Sequence, residues 1–90
     1  MMYSKNEIVN AIELNTLRIT EFTTRDKKLT KILSLIAEYE VEYNTKICVT
    51  EDIRNEQDAV KNEIAFGKDR LSFRKKQLNL IEQLEELDGE

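Results

Sequence analysis

Apolar residues recur in alternating steps of four and three through the first half of the chain. The repeat begins after Ser4, where the stretch Ser-Lys-Asn-Glu has the form of a helix-capping box. A single heptad phase then continues to residue 47, which predicts one amphipathic helix over residues 4–47. The positions of this seam are Ile8, Ile12, Asn15, Ile19, Phe22, Asp26, Leu29, Leu33, Ile36, Glu40, Tyr43 and Ile47.

The second half repeats the pattern and predicts a helix over residues 51–88. Thr50 is suited to cap its N-terminus, the acidic Glu51 favours the positive end of the helix dipole, and Gly89 suits the residue after the last turn. The chain is therefore predicted to reverse direction at about residues 48–50. The seam positions of this helix are Ile53, Gln57, Val60, Ile64, Gly67, Leu71, Arg74, Leu78, Ile81 and Glu85.

These two helices predict an all-α fold, an antiparallel coiled-coil hairpin that forms one domain over residues 1–90. A turn near residue 50 pairs seam positions whose numbers sum to about 100, so that Phe22 faces Leu78. It also places Asp26 opposite Arg74, and we predict an ion pair there because a charge in a seam needs a partner of opposite sign. An alternative is a three-helix bundle with a break near Thr23-Thr24, where threonines lower helix propensity and could cap a new helix.

Each helix carries a second apolar stripe roughly 120° from its seam. In an antiparallel pair, both stripes lie on the same side of the hairpin. An apolar surface of this extent is typical of an interface, so we expect two hairpins to dimerise into a four-helix bundle. The residues of this predicted protein-interaction face are Leu14, Leu17, Ile32, Leu35 and Tyr39 on the first helix, and Phe66, Phe73, Leu80, Leu84 and Leu87 on the second.

Composition agrees with a small, exposed helical protein. The chain has 90 residues, of which 40% are hydrophobic and 36% are charged. A chain of this length buries only a small core, and a second copy often supplies the missing contacts. No segment approaches the roughly 18 apolar residues that a membrane-spanning helix requires. A single cysteine, Cys48, cannot form an internal disulfide. We therefore expect a soluble, cytoplasmic protein without membrane partners.

The net charge of −4 conceals a local concentration of basic residues. On a hairpin folded about residue 50, nine basic residues from the two helices fall at the same level. Such a belt could bind phosphates by displacing condensed counterions. Its members are Arg25, Lys27, Lys28, Lys31, Lys68, Arg70, Arg74, Lys75 and Lys76.

Catalytic chemistry has little support in the sequence. The chain contains no histidine, which is the usual proton shuttle and the commonest metal ligand, and its two glycines cannot form a phosphate-binding loop. We therefore predict no enzymatic activity, no metal and no cofactor. The expected role is a helical protein-interaction module, serving as an adaptor, an assembly factor or a small regulator or inhibitor. The alternative is a small dimeric nucleic-acid-binding protein that uses the basic belt.

Overall fold

The computed structural model describes residues 4–88 and shows two antiparallel α-helices, which confirms the predicted all-α hairpin. Helix α1 spans Lys5–Tyr43 and helix α2 spans Thr50–Asp88. Together they form a thin rod of 73 × 19 × 14 Å. Neither helix is long and apolar enough to cross a membrane. Gly89, predicted to follow the second helix, lies outside the described residues.

Helix α1 begins at its predicted cap and continues without a break. The hydroxyl of Ser4 accepts a 3.2 Å hydrogen bond from the backbone N–H of Glu7. Thr23 and Thr24 lie inside the helix, and their hydroxyls donate to the carbonyls of Ile19 and Thr20, four residues earlier. Such bonds satisfy a threonine hydroxyl within a helix. The alternative with a break at Thr23-Thr24 is therefore wrong.

Helix α1 ends four residues earlier than predicted. Asn44 has φ 47° and ψ 51°, a left-handed conformation that terminates a helix, and its backbone N–H donates to the carbonyl of Glu40. The chain then folds back beside the helix end, where the N–H of Ile47 donates to the Glu40 carboxylate at 3.1 Å. Thr50 is the first residue of α2 and donates its hydroxyl to the Ile47 carbonyl at 3.0 Å. Residues 44–49 are therefore a folded-back connection rather than a tight turn.

The predicted heptad phase identifies the residues that lie between the helices. Ile8, Leu29 and Val60, all seam positions, are the buried hydrophobic residues among those described. Every other predicted seam residue is half-buried except Tyr43 and Glu85, which are exposed. The core is thus a single narrow line of side chains along the rod.

The axial register of the two helices differs from the predicted one. Contacts across the seam join Ile19 to the backbone at Gly67, Asp26 to Gln57, Arg25 to Glu56 and Lys5 to Glu85. The numbers in these pairs sum to between 81 and 90 rather than about 100.

The difference in register separates residues that the sequence analysis pairs. Phe22 lines a depression with Glu63 and Phe66. Leu78 lies more than ten residues beyond Phe66 on α2, which is about 18 Å along the helix axis. The predicted pairing of Phe22 with Leu78 is therefore wrong. The connection accounts for the shifted register. Residues 44–49 run back along α1, so that α2 begins beside the last turns of α1 rather than at its end.

Candidate interaction surface

One side of the hairpin carries large exposed apolar side chains in several groups, called together the apolar face below. Its members are the ten residues of the second stripes, and each is between 43% and 68% exposed. Their predicted exposure is confirmed, whereas their role in binding stays a prediction. The residues on this face are Leu14, Leu17, Ile32, Leu35, Tyr39, Phe66, Phe73, Leu80, Leu84 and Leu87.

A depression of about 210 Å³ lies beside Phe66, the member of the apolar face that lines it. Gly67 leaves room here, since a Cβ at this position would lie 3.0 Å from Cγ1 of Ile19. The rim includes Arg18 and Arg70, and the guanidinium of Arg70 lies 5.4 Å from the ring centroid of Phe66. The depression therefore combines an apolar floor with charged edges, which is the usual make-up of a protein–protein contact site.

Asp26 is held by a different partner from the one predicted. Its carboxylate accepts a 3.0 Å hydrogen bond from the side-chain amide of Gln57, which also donates to the Thr30 hydroxyl at 2.7 Å. Arg74 is 17 residues beyond Gln57 on α2, roughly 25 Å away along the axis. It donates to the side-chain oxygen of Gln77 at 2.9 Å. The predicted seam ion pair of Asp26 with Arg74 is therefore wrong.

The predicted basic belt is divided between two levels of the rod. On α1, Arg25 forms a 3.3 Å salt bridge with Glu56. This contact places the basic residues of α1 beside the acidic first half of α2. The α2 cluster lies about 20 Å further along the axis. The belt of Arg25, Lys27, Lys28 and Lys31 with Lys68, Arg70, Arg74, Lys75 and Lys76 does not form at one level.

Sequence reasoning missed a second exposed apolar group near the connection. Tyr43 is a predicted seam residue but is 60% exposed, and its ring packs at a tilt of 38° against Tyr39 with centroids 4.6 Å apart. Val41 and Val49 are also exposed, at 83% and 51%. These side chains lack cover because α1 extends past the start of α2. Only knowledge of the connection could have revealed this, since Tyr43 fits the heptad pattern.

The fold and surface together define a two-helix coiled-coil hairpin with one unpartnered apolar face. No protein-family model matches the chain, and no curated protein or solved structure shows significant similarity to it.

Proposed function

We propose that this protein is a non-enzymatic helical protein-interaction module that binds through its apolar face. The observation that carries this proposal is the contrast, within residues 4–88, between three fully buried hydrophobic residues and ten large apolar side chains exposed on one side. Monomeric proteins rarely expose more than a few hundred Å² of contiguous apolar surface. A partner that covers this face buries the apolar side chains that the hairpin alone leaves exposed.

The first partner we propose is a second copy of the chain, giving a four-helix bundle. Ten side chains that are about half exposed leave on the order of 1,000 Å² per hairpin, which is of the same order as the ~800 Å² per partner of a standard interface. Covering this face stabilises the dimer, and the same surface suits an adaptor, an assembly factor or a small regulator or inhibitor. The exposed free thiol of Cys48 supports a reducing, cytoplasmic setting.

The nucleic-acid alternative loses the feature that favoured it. A phosphate-binding belt requires its basic residues to lie together, and the two clusters are separated along the rod. Arg25 is also engaged with Glu56. Protein binding is therefore the function that the geometry supports best.

Light scattering coupled to size-exclusion chromatography tests the proposal. The wild-type chain of 10.6 kDa should elute with twice that mass, and Leu17→Glu combined with Phe73→Glu should reduce it to the monomer. A matched control places the same charges on the opposite flank, with Thr20→Glu and Ser72→Glu at exposed positions. The control should remain dimeric. A monomeric wild-type chain at micromolar concentration would refute the dimer.

A further inference from the structure

We infer that the two copies pack antiparallel, with α1 of one hairpin lying across α1 of the other about a two-fold axis near residues 24 and 25. This inference rests on the proposed dimer and specifies its geometry. It follows from the positions of apolar and charged residues along the apolar face.

Four of the five apolar-face residues of α1 are arranged symmetrically, whereas the fifth, Tyr39, falls opposite Asn10 of the second copy. Two apolar pairs with the same spacing, Leu14 with Leu17 and Ile32 with Leu35, lie on either side of residues 24 and 25. An antiparallel two-fold at that point places Leu14 opposite Leu35 of the second copy, and Leu17 opposite its Ile32. Both contacts occur twice because the interface is self-complementary.

Charge complementarity supports the same register. Glu21 and Lys28 are both exposed and lie on this flank between the two apolar pairs. The two-fold places Glu21 of each copy opposite Lys28 of the other, which forms two favourable pairs near the axis. Like charges meet at Arg18 with Lys31, and at the axis, where the Arg25 side chains of the two copies lie side by side. The salt bridge of Arg25 with Glu56 offsets the second contact, and solvent screens the exposed charges of the first.

Helix α2 fits the same axis. The contact of Ile19 with Gly67 sets the level of Phe66 on the rod, and the two-fold then brings Phe66 to the level of Gln57 of the second copy, between Glu56 and Ala59 on this flank. The small side chain of Ala59 leaves room for the ring of Phe66 there. Leu80, Leu84 and Leu87 project beyond the overlap at each end of the dimer.

A parallel arrangement of the two faces is less complementary. It would place α1 across α2 of the second copy at the same level of the rod. Ile32 and Leu35 would then face the acidic first turns of α2, which contain Asp52 and Glu56. Apolar side chains against carboxylates bury charge without a partner, which is unfavourable. The antiparallel arrangement places one apolar side chain per hairpin, Phe73, against this turn, whereas the parallel arrangement places two.

Disulfide trapping distinguishes these arrangements. In a Cys48→Ser background, Leu14→Cys and Leu35→Cys chains are mixed, refolded together and oxidised. The mixture should form a covalent heterodimer, because a disulfide requires Cα atoms within about 7 Å. Each variant alone should form little, since its own thiols lie roughly 30 Å apart in this register. Circular dichroism verifies that each variant is helical.

The outcomes separate the register from the proposed function. A mixture of Leu14→Cys with Phe73→Cys tests the parallel arrangement, and preferential crosslinking there overturns the antiparallel one. A dimeric mass without Leu14–Leu35 crosslinking also overturns it and leaves the dimer in place. A monomeric mass for the Cys48→Ser chain refutes the proposed dimer itself.

Discussion

The side-chain amide of Gln57 lies 3.0 Å from the carboxylate of Asp26 and connects the two helices at seam positions. The same amide reaches the Thr30 hydroxyl at 2.7 Å. Apolar seam residues pack at any shift of a whole heptad, whereas this polar cluster forms in one register. Asp26 and Gln57 therefore help to fix which layers of the hairpin meet.

Replacing Gln57 by leucine should destabilise the hairpin. The half-buried carboxylate of Asp26 would lose its donor, and we expect the free energy of unfolding to fall by about 1–2 kcal/mol. Adding Asp26→Leu should restore stability to the wild-type level or above, because an apolar pair replaces the polar one. Urea denaturation at one fixed protein concentration measures both effects. A single Gln57→Leu variant more stable than wild type would contradict the role assigned to this contact.

Enlarging Gly67 should separate the helices. A Cβ at this position would lie 3.0 Å from Cγ1 of Ile19, so Gly67→Leu should lower the free energy of unfolding by at least about 1 kcal/mol despite its better helix propensity. The matched control is Ala65→Leu, at an exposed position of the same helix. Thermal unfolding should show a lower midpoint for Gly67→Leu alone. Equal midpoints would show that the helices do not approach closely here.

The left-handed conformation of Asn44 should make this position sensitive to side-chain shape. Asn44→Val should lower the free energy of unfolding by about 1 kcal/mol or more, because a β-branched residue is strained at φ 47°. Asn44→Gly should be neutral or slightly stabilising. For a chain of this size, 1 kcal/mol shifts the thermal midpoint by about 4–8 °C. If both variants melt with the wild type, the helix does not end in this conformation.

The end of the rod opposite the connection should respond to alkaline pH. Glu85 accepts a 3.0 Å hydrogen bond from Lys5, and this bond raises the pKa of Lys5 above its usual 10.5. A group whose pKa is raised on folding contributes stability below its unfolded pKa, and that contribution disappears as the pH rises through the folded pKa. The difference in thermal midpoint between wild type and Glu85→Gln should therefore be constant from neutral pH to about pH 9 and vanish well above pH 10.5. High salt should also reduce it, since both side chains are exposed.

The hydrophobic pattern predicted which side chains lie between the helices, but not which of them meet. Leu29 and Val60 were assigned to the seam from spacing alone, and both are buried. Spacing repeats every seven residues, so it allows several registers and cannot choose between them. The register depends on where α1 ends. The sequence hides that point, because Ile47 continues the apolar pattern of α1 although it lies in the connection.

The apolar face could be predicted more fully than the charged features. Exposure of Leu14 or Phe73 depends only on the angle from the seam within one helix, and the heptad phase gives that angle. The Asp26–Arg74 pair and the basic belt depend on the level of one helix against the other, which the pattern leaves open. Both predictions are wrong because the register of the two helices differs from the predicted one.

With three fully buried side chains in the part of the chain that the structure describes, a single hairpin has little core to stabilise it. If the apolar face is covered by another chain, folding and association become linked, and the melting temperature rises with protein concentration. A hairpin without a bound partner unfolds more often, and the unfolded chain is degraded by cellular proteases. The amount of this protein in a cell would then follow the supply of whatever it binds.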